Sequence, residues 1–142
     1  MQFEGIDTPQ LIAVYEEDTH YVHVTYRGEL TPQITAEFYD WLGRLADTIG
    51  IETVHGATID FRQVTKFHQQ NLYTAYRESR SANRTMDMSH IGVGMIVESK
   101  QEPMVRLSMN LTGQLDRMRI VYSPEEALKF IEEWSQKKGK PQ

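Results

Sequence analysis

The sequence predicts an α/β fold, a mixed sheet of about five strands with four helices. Two short runs of β-forming residues separated by a polar turn are typical of an antiparallel hairpin. After them, three further strand-like segments alternate with helical patterns, as parallel strands joined by crossover helices do. The composition is that of a globular domain, with 39% hydrophobic and 25% charged residues among 142.

The predicted hairpin opens the fold. Its strands are Leu11 to Tyr15 and Tyr21 to Tyr26, and Glu16 to Thr19 forms the turn. Residues 1 to about 8 lie before the hairpin, and Lys137 to Gln142 end the chain. We expect both segments to be loose tails around an ordered core of about residues 10–136 in a single domain.

The first helix has the clearest signals. Thr31 is a typical N-cap, and Pro32 suits the first helical position because its missing N–H needs no partner there. Gly50 suits the left-handed residue that ends a helix. Apolar residues recur at helical spacing between these ends and predict the core-facing side: Ile34, Phe38, Trp41, Leu42, Leu45 and Ile49.

The rest of the chain alternates strands and helices. The predicted strands are Thr53–Phe61, His90–Val97 and Met118–Tyr122, and the predicted helices are Phe67–Arg84, Glu102 to about Leu115, and a fourth opened by the capping box Ser123–Glu126. The inward residues predicted for these helices are Leu72, Ala75 and Tyr76, then Met104, Leu107, Ser108, Leu111 and Leu115, then Ala127, Leu128, Ile131 and Trp134. We expect Gly92 and Gly94 to let a helix approach a strand closely.

Three segments carry a family resemblance: the strand leading into Asp60–Val64, the run His90–Val97, and the strand and helix Arg119–Ile131. With the element order, they make most of residues 11–135 similar to the STAS fold, and more closely to the SpoIIAA-like family of small bacterial proteins. The resemblance implies a scaffold for regulatory contacts with proteins, and in some relatives for small ligands or membrane association.

One departure from the family pattern bears on regulation. STAS domains that are switched by phosphorylation carry a serine or threonine in a turn after the central strand. The matching positions here, His68–Asn71, contain no hydroxyl, and Thr65 is a poor substitute. The sequence therefore predicts a STAS-like module that lacks the phosphorylatable serine.

The second helix contains the most suggestive binding pattern. Tyr73, Arg77, Arg80 and Arg84 are spaced by four, three and four residues, so they share one helix face. Guanidinium groups on one face bind phosphate or carboxylate. The alternative is a solvated face with Glu78 as local counter-charge.

The turn before that helix is a second candidate site. Lys66, His68, Gln69, Gln70 and Asn71 are polar residues near a helix N-terminus, beyond the end of a central strand. Ligands of open α/β sheets bind at such strand ends, and helix N-termini attract anions. An ordinary polar loop is the alternative.

Several classes of function lack support in the sequence. There is no cysteine, which excludes disulfides and thiolate chemistry. His20 and His23 point to opposite faces of a strand, and no serine lies in a Gly-x-Ser-x-Gly motif, so we predict no metal, no cofactor and no enzymatic activity. The net charge of −5 argues against nucleic acid as a partner, and the absence of a signal peptide or membrane-spanning run predicts a cytoplasmic protein.

Two main functions remain, with an enzyme as a third. The first is a non-catalytic regulatory module that binds a protein partner of unknown identity through residues 66–84, and a homodimer is plausible. The second is a binder of a small apolar or anionic ligand, for which a membrane surface is one setting. In that case the arginines would hold a head group, and Met104, Leu107 and Leu111 would cover the acyl part. The enzyme would require Asp60, His55 or His68 to converge in a deep pocket.

Overall fold

The computed structural model describes residues 3–113 and 115–139. The strands are β1 (Ile6–Asp7), β2 (Leu11–Glu16), β3 (Tyr21–Leu30), β4 (Gly56–Phe67), β5 (Gly92–Ile96) and β6 (Met118–Val121). The helices are α1 (Pro32–Ile49), α2 (Gln69–Thr85), α3 (Glu102–Thr112) and α4 (Pro124–Trp134). Short turns of 3₁₀-helix cover Ile51–Thr53 and Leu115–Arg117, and one turn of π-helix covers Ser135–Gly139.

The strands form one mixed sheet in sequence order, β1 to β6. The first three are antiparallel, and β3 to β6 pair in parallel, so the predicted hairpin and crossovers are confirmed. Helices α1, α2 and α3 form one layer, in which α1 packs on α2 and α2 on α3. Side chains alternate along β4, and Gly56 lies against Ile131 of α4, whereas Ile59 lines a cavity under the other helices. Helix α4 therefore covers the opposite face of the sheet.

The sheet has one strand more than the sequence predicted. Ile6 pairs with Ala13, and the indole N–H of Trp41 donates to the carbonyl of Glu4 at 2.9 Å. The Phe3 ring packs edge-on against Trp41 with centroids 5.8 Å apart. The prediction of a loose N-terminal tail is therefore wrong for this segment, which Trp41 ties down. Residues 1–2 and 140–142 of the predicted tails lie outside the described residues.

Helix α1 confirms its predicted boundaries. The hydroxyl of Thr31 accepts a hydrogen bond from the backbone N–H of Ile34 at 3.4 Å. At the other end, the N–H of Gly50 donates to the carbonyl of Ala46 at 2.8 Å, and Gly50 has φ of 85°. Phe38 and Trp41 are buried against the sheet.

Strand β4 continues six residues beyond its predicted end. Phe67 was predicted to begin the second helix, but it ends β4 and pairs with Leu30 of β3. The neighbouring pair is Lys66 with Glu29. Within this extension Val64 is buried in the core and Phe67 packs against it, but polar residues surround them. The local hydrophobic pattern is therefore weak, and pairing with β3 stabilises the strand conformation.

Helix α3 is rotated relative to the prediction. It ends at Thr112, before Gly113 with φ of 73°, rather than at Leu115. Val105 is buried, whereas Leu107 and Leu111 are each 45% exposed. The prediction that those two leucines point inward is wrong because the core lies one residue around the helix. Met104 and Ser108, predicted inward as well, do line the cavity beneath the helix. The side chain of Leu115 lies outside the described residues.

The packing of α4 depends on small residues. A Cβ atom added to Gly94 would lie 2.6 Å from the Cβ of Ala127, and one added to Gly92 would lie 2.9 Å from the Cβ of Trp134. These distances confirm that the glycines allow a helix to approach the sheet. The inward prediction for Leu128 is wrong, since this side chain is 42% exposed.

Candidate functional site

The outer face of α2 brings together the predicted aromatic and basic residues. Tyr73 is 64% exposed, and Arg77, Arg80 and Arg84 are exposed with it. The guanidinium of Arg77 lies over the Tyr73 ring, 5.3 Å from its centroid. Arg80 lies over the Tyr76 ring at 5.5 Å and donates to its hydroxyl at 2.6 Å. Stacking on the helix's own aromatic rings holds two of the guanidiniums in place. We call the set Tyr73, Arg77, Arg80 and Arg84 the arginine face.

The charges of the arginine face are not neutralised by ion pairs within the described part of the chain. Within residues 3–113 and 115–137, no carboxylate lies within ion-pair distance of Arg77, Arg80 or Arg84. Glu78, the expected counter-charge, is therefore not paired with them. Arg84 lies in the last turn of α2, where the helix dipole favours a cation. The face thus presents guanidinium donors to solvent on a chain whose net charge is −5.

The turn before α2 places the remaining predicted residues at the end of β4. His68 occupies the N-cap position, although its side chain makes no cap hydrogen bond. Its Nε2 lies 2.6 Å from Oε1 of Glu29. Hydrogen bonding to His68, followed by the charges of His68 and Lys66, lowers the pKa of Glu29. Gln69 and Gln70 are exposed in the first turn of the helix.

An apolar cavity of about 80 Å³ lies between the α1–α3 layer and the sheet. Its walls are mostly aromatic and aliphatic, and four methionines line it: Met95, Met104, Met109 and Met118. A second cavity of about 70 Å³ shares Phe38, Tyr39, Ile59 and Met118 as walls. Tyr26 also lines the first cavity, and burial raises the pKa of its hydroxyl far above the usual range, so it stays neutral.

The eight predicted site residues do not lie together in the 80 Å³ cavity. Of the eight, His68 lines the cavity, and the other seven lie outside its walls. The three arginines are on the outer side of α2, whereas Asn71, Leu72 and Ala75 line the cavity from the inner side. The predicted arrangement in which the arginines hold the head group of a ligand covered by α3 is therefore not formed. Leu107 and Leu111 are absent from the walls as well.

The residues suggested for an enzyme do not converge. Asp60 is held by Arg62, with Oδ2 and Nη2 2.8 Å apart. The ring of His55 lies 4.8 Å from that of His20, and His68 is bonded to Glu29. In the described part of the chain, no three side chains among histidines and carboxylates are placed to hold a metal ion. The same part contains no helix with the length and apolar character needed to cross a membrane.

Gln101 is a buried structural residue at the start of α3 that the sequence did not reveal. It is 1% exposed, and its Oε1 accepts from the N–H of Glu98 at 2.9 Å. Its Nε2 donates to the carbonyls of Arg62 and Val64, each at 3.2 Å. The side chain thus fixes the start of α3 to the end region of β4. A single glutamine in a loop carries no periodic signal, so only the tertiary structure identifies this role.

Comparison with known proteins places the fold. The sequence matches no family model and no curated protein. Among solved structures, an uncharacterized DUF3478-family protein from Shewanella loihica with a SpoIIAA-like fold is similar at a TM-score of 0.63 and 14% identity, covering 91% of this chain and 99% of that one. An anti-sigma factor antagonist from Mycobacterium paratuberculosis gives 0.57 and 15%, covering 89% and 99%.

A third similar chain comes from the complex of the diguanylate cyclase SiaD with its activator SiaC from Pseudomonas aeruginosa. Its TM-score is 0.54 at 9% identity, covering 85% of this chain and 100% of that one. These likenesses confirm the predicted STAS-like, SpoIIAA-like fold.

Proposed function

We propose that this STAS-like domain is a non-catalytic regulatory module that binds an acidic surface of a protein partner through the arginine face of α2. The observation that carries the proposal is the set of three exposed guanidiniums without carboxylate partners in the described residues, next to an exposed Tyr73. Two chains of the same fold come from an anti-sigma factor antagonist and from the complex of a cyclase with its activator, which supports a role in protein contacts.

The chemistry of the face suits a protein interface. Tyrosine and arginine are enriched among the residues that dominate binding energy. Because Arg77 is already stacked on Tyr73, it loses less conformational freedom on binding than an unsupported side chain would. An acidic partner would be attracted to this local basic surface, whereas the remaining acidic surface would repel it, which favours one orientation.

We further propose that phosphorylation at the start of α2 does not control this binding. The turn His68–Asn71 contains no hydroxyl group. The nearest serine or threonine residues along the chain are Thr65, which belongs to β4, and Thr74, which is 6% exposed inside α2. The partner's own state or concentration would then regulate the complex.

The test reverses the charge of the face and compares it with an equal reversal elsewhere. Arg77→Glu, Arg80→Glu and Arg84→Glu are combined in one variant, and Arg44→Glu, Lys100→Glu and Lys129→Glu, all exposed and outside α2, are combined in the control. Proteins retained by wild type and control but lost by the α2 variant are quantified by mass spectrometry. Each candidate is then produced pure for a direct affinity measurement.

We expect the purified partner to bind the α2 variant at least about 100-fold more weakly than wild type, because hot-spot arginines each contribute roughly 1–2 kcal/mol. The control should stay within about threefold of wild type, and affinity should fall with salt. Equal binding by both triple variants would refute the proposed surface.

A further inference from the structure

Asn71 contains a buried hydrogen-bond acceptor that the fold leaves unused. The residue lies in the first turn of α2, is 7% exposed, and lines the 80 Å³ cavity. Its backbone N–H donates to the carbonyl of His68 at 2.9 Å. Its side-chain Oδ1 is buried and accepts no hydrogen bond within the described part of the chain. Unsatisfied buried polar atoms are rare in folded proteins, and each one needs an explanation.

The surroundings of Asn71 define what could satisfy it. The wall of the 80 Å³ cavity contains no lysine, arginine, aspartate or glutamate. Arg117 lines only the adjoining 70 Å³ cavity, where its Nη1 donates to the carbonyl of Ile91 at 3.1 Å. Beside Asn71, an ionised ligand would lose its hydration without gaining an opposite charge, so this part of the site favours a neutral molecule. The aromatic and methionine walls favour an apolar body, and Asn71 Oδ1 requires a single hydrogen-bond donor.

A small ring compound needs the space of both cavities. They measure about 80 and 70 Å³ and share walls, so a ligand would occupy their combined volume of about 150 Å³ only after a shared side chain moves. An apolar cavity of about this size in another protein stays dry and binds benzene. Met118 is among the shared walls, and methionine adapts its shape with little strain.

We expect a ligand to enter the cavity by displacement of helix α3. Val105 is its one fully buried residue among those described, so lifting it exposes less apolar surface than moving α1 would. Gln101 fixes its first turn, and Gly113 follows its last turn with φ of 73°. Opening at the C-terminal end would uncover Met109 and Thr112 while leaving the arginine face on α2 in place.

From these observations we propose that the cavity binds a small, neutral, apolar molecule with one hydrogen-bond donor, of the phenol or indole class, and that Asn71 Oδ1 accepts that hydrogen bond. The proposal goes beyond binding of a protein partner and does not depend on it, because the arginine face and the cavity lie on opposite sides of α2.

The test uses phenol and toluene, which have nearly the same shape and differ in the hydrogen-bond donor. Binding is followed by NMR of the methionine methyl groups, of which Met95, Met104, Met109 and Met118 line the site. Wild type is compared with Asn71→Leu and with the control Asn110→Leu, whose residue is exposed on α3 outside the cavity wall.

We expect wild type and the control to bind phenol about tenfold more tightly than toluene, since one buried hydrogen bond contributes about that factor. Asn71→Leu should remove this preference and keep toluene binding. If Asn71→Leu fails to fold, Ala75→Leu, which fills the cavity from α2, should abolish binding of both probes.

Three results would overturn the proposal. The first is the absence of methyl shifts at the cavity with either probe. The second is a phenol preference that survives Asn71→Leu, or probe binding that survives Ala75→Leu. The third is a crystal structure grown with phenol in which an ordered water, rather than the probe, donates to Asn71.

Discussion

Replacing Gly94 with alanine tests the contact between α4 and the sheet. The added Cβ would lie 2.6 Å from the Cβ and 2.8 Å from the Cα of Ala127, where ordinary contacts begin at 3.4 Å. Because one of these atoms belongs to the backbone, no side-chain rotation relieves the clash. Helix α4 must instead move away from β5 by several tenths of an ångström, and its packing over the glycines loosens.

The magnitude follows from two opposing effects. Overpacking of this kind costs about 1–3 kcal/mol, and the backbone contact favours the upper half of that range. Alanine restricts the unfolded chain more than glycine and returns about 0.5–1 kcal/mol. We therefore expect Gly94→Ala to lower the free energy of unfolding by about 1–2 kcal/mol and Tm by about 4 °C.

Gly43→Ala is the matched control. Gly43 lies inside α1, and an added Cβ would meet no atom within 4 Å. With no clash, the helix propensity of alanine should raise the free energy of unfolding by about 0.5–1 kcal/mol. Urea denaturation followed by circular dichroism measures both variants. If Gly94→Ala stabilised the protein as Gly43→Ala does, the close approach of α4 to β5 would be wrong.

Two further predictions concern the surroundings of the candidate site. Gln101→Leu should lower the free energy of unfolding by at least about 2 kcal/mol, since the Glu98 N–H and two β4 carbonyls lose their partner. The rate of amide hydrogen exchange should rise most in α3. Unchanged exchange in α3 would contradict the role of Gln101. His68→Gln should raise the pKa of Glu29 towards its usual value, as followed by NMR titration of the Glu29 carboxyl carbon. Because the pKa of Glu29 is lower in the folded than in the unfolded chain, its carboxylate stabilises the fold at pH values above the unfolded pKa. This stabilisation disappears as the pH falls through the folded pKa. The variant should therefore lose less stability than wild type on acidification. An unshifted Glu29 titration would show that the His68 hydrogen bond is not formed in solution.

Local signals explain which elements could be predicted from the sequence. Helix α1 was predicted in full because its N-cap Thr31, first-turn Pro32 and terminal Gly50 act within a few residues of each helix end. The end of β4 was missed because its conformation depends on pairing with β3, more than thirty residues away in the chain. The paired residues include charged ones such as Lys66 and Glu29, so the alternation of apolar residues typical of a strand is interrupted there.

The two faces of α3 show a second limit. Its sequence carries apolar residues on more than one side, and the pattern through Leu107 and Leu111 was as regular as the one through Val105 and Met109. Which side is buried depends on how α3 sits against the sheet, and that position is fixed partly by Gln101. The sequence therefore predicted the helix, its amphipathic character and two inward residues, Met104 and Ser108, but wrongly extended the inward face to Leu107 and Leu111.

Helix α2 also explains why the site could be predicted only in part. Spacing alone places Tyr73, Arg77 and Arg80 on one side, and the structure confirms that they are exposed together. Asn71 was grouped with the polar turn, because nothing in the sequence distinguishes a buried amide from an exposed one. Its burial comes from the packing of α2 over the sheet, which only the complete fold defines.

Helix α2 thus separates a charged outer surface from an inner cavity, and the two proposals can fail independently. Reversing Arg77, Arg80 and Arg84 should leave phenol binding intact, because none of the three lines either cavity. Changing Asn71 should leave the partner's affinity intact, because its side chain does not reach the outer surface.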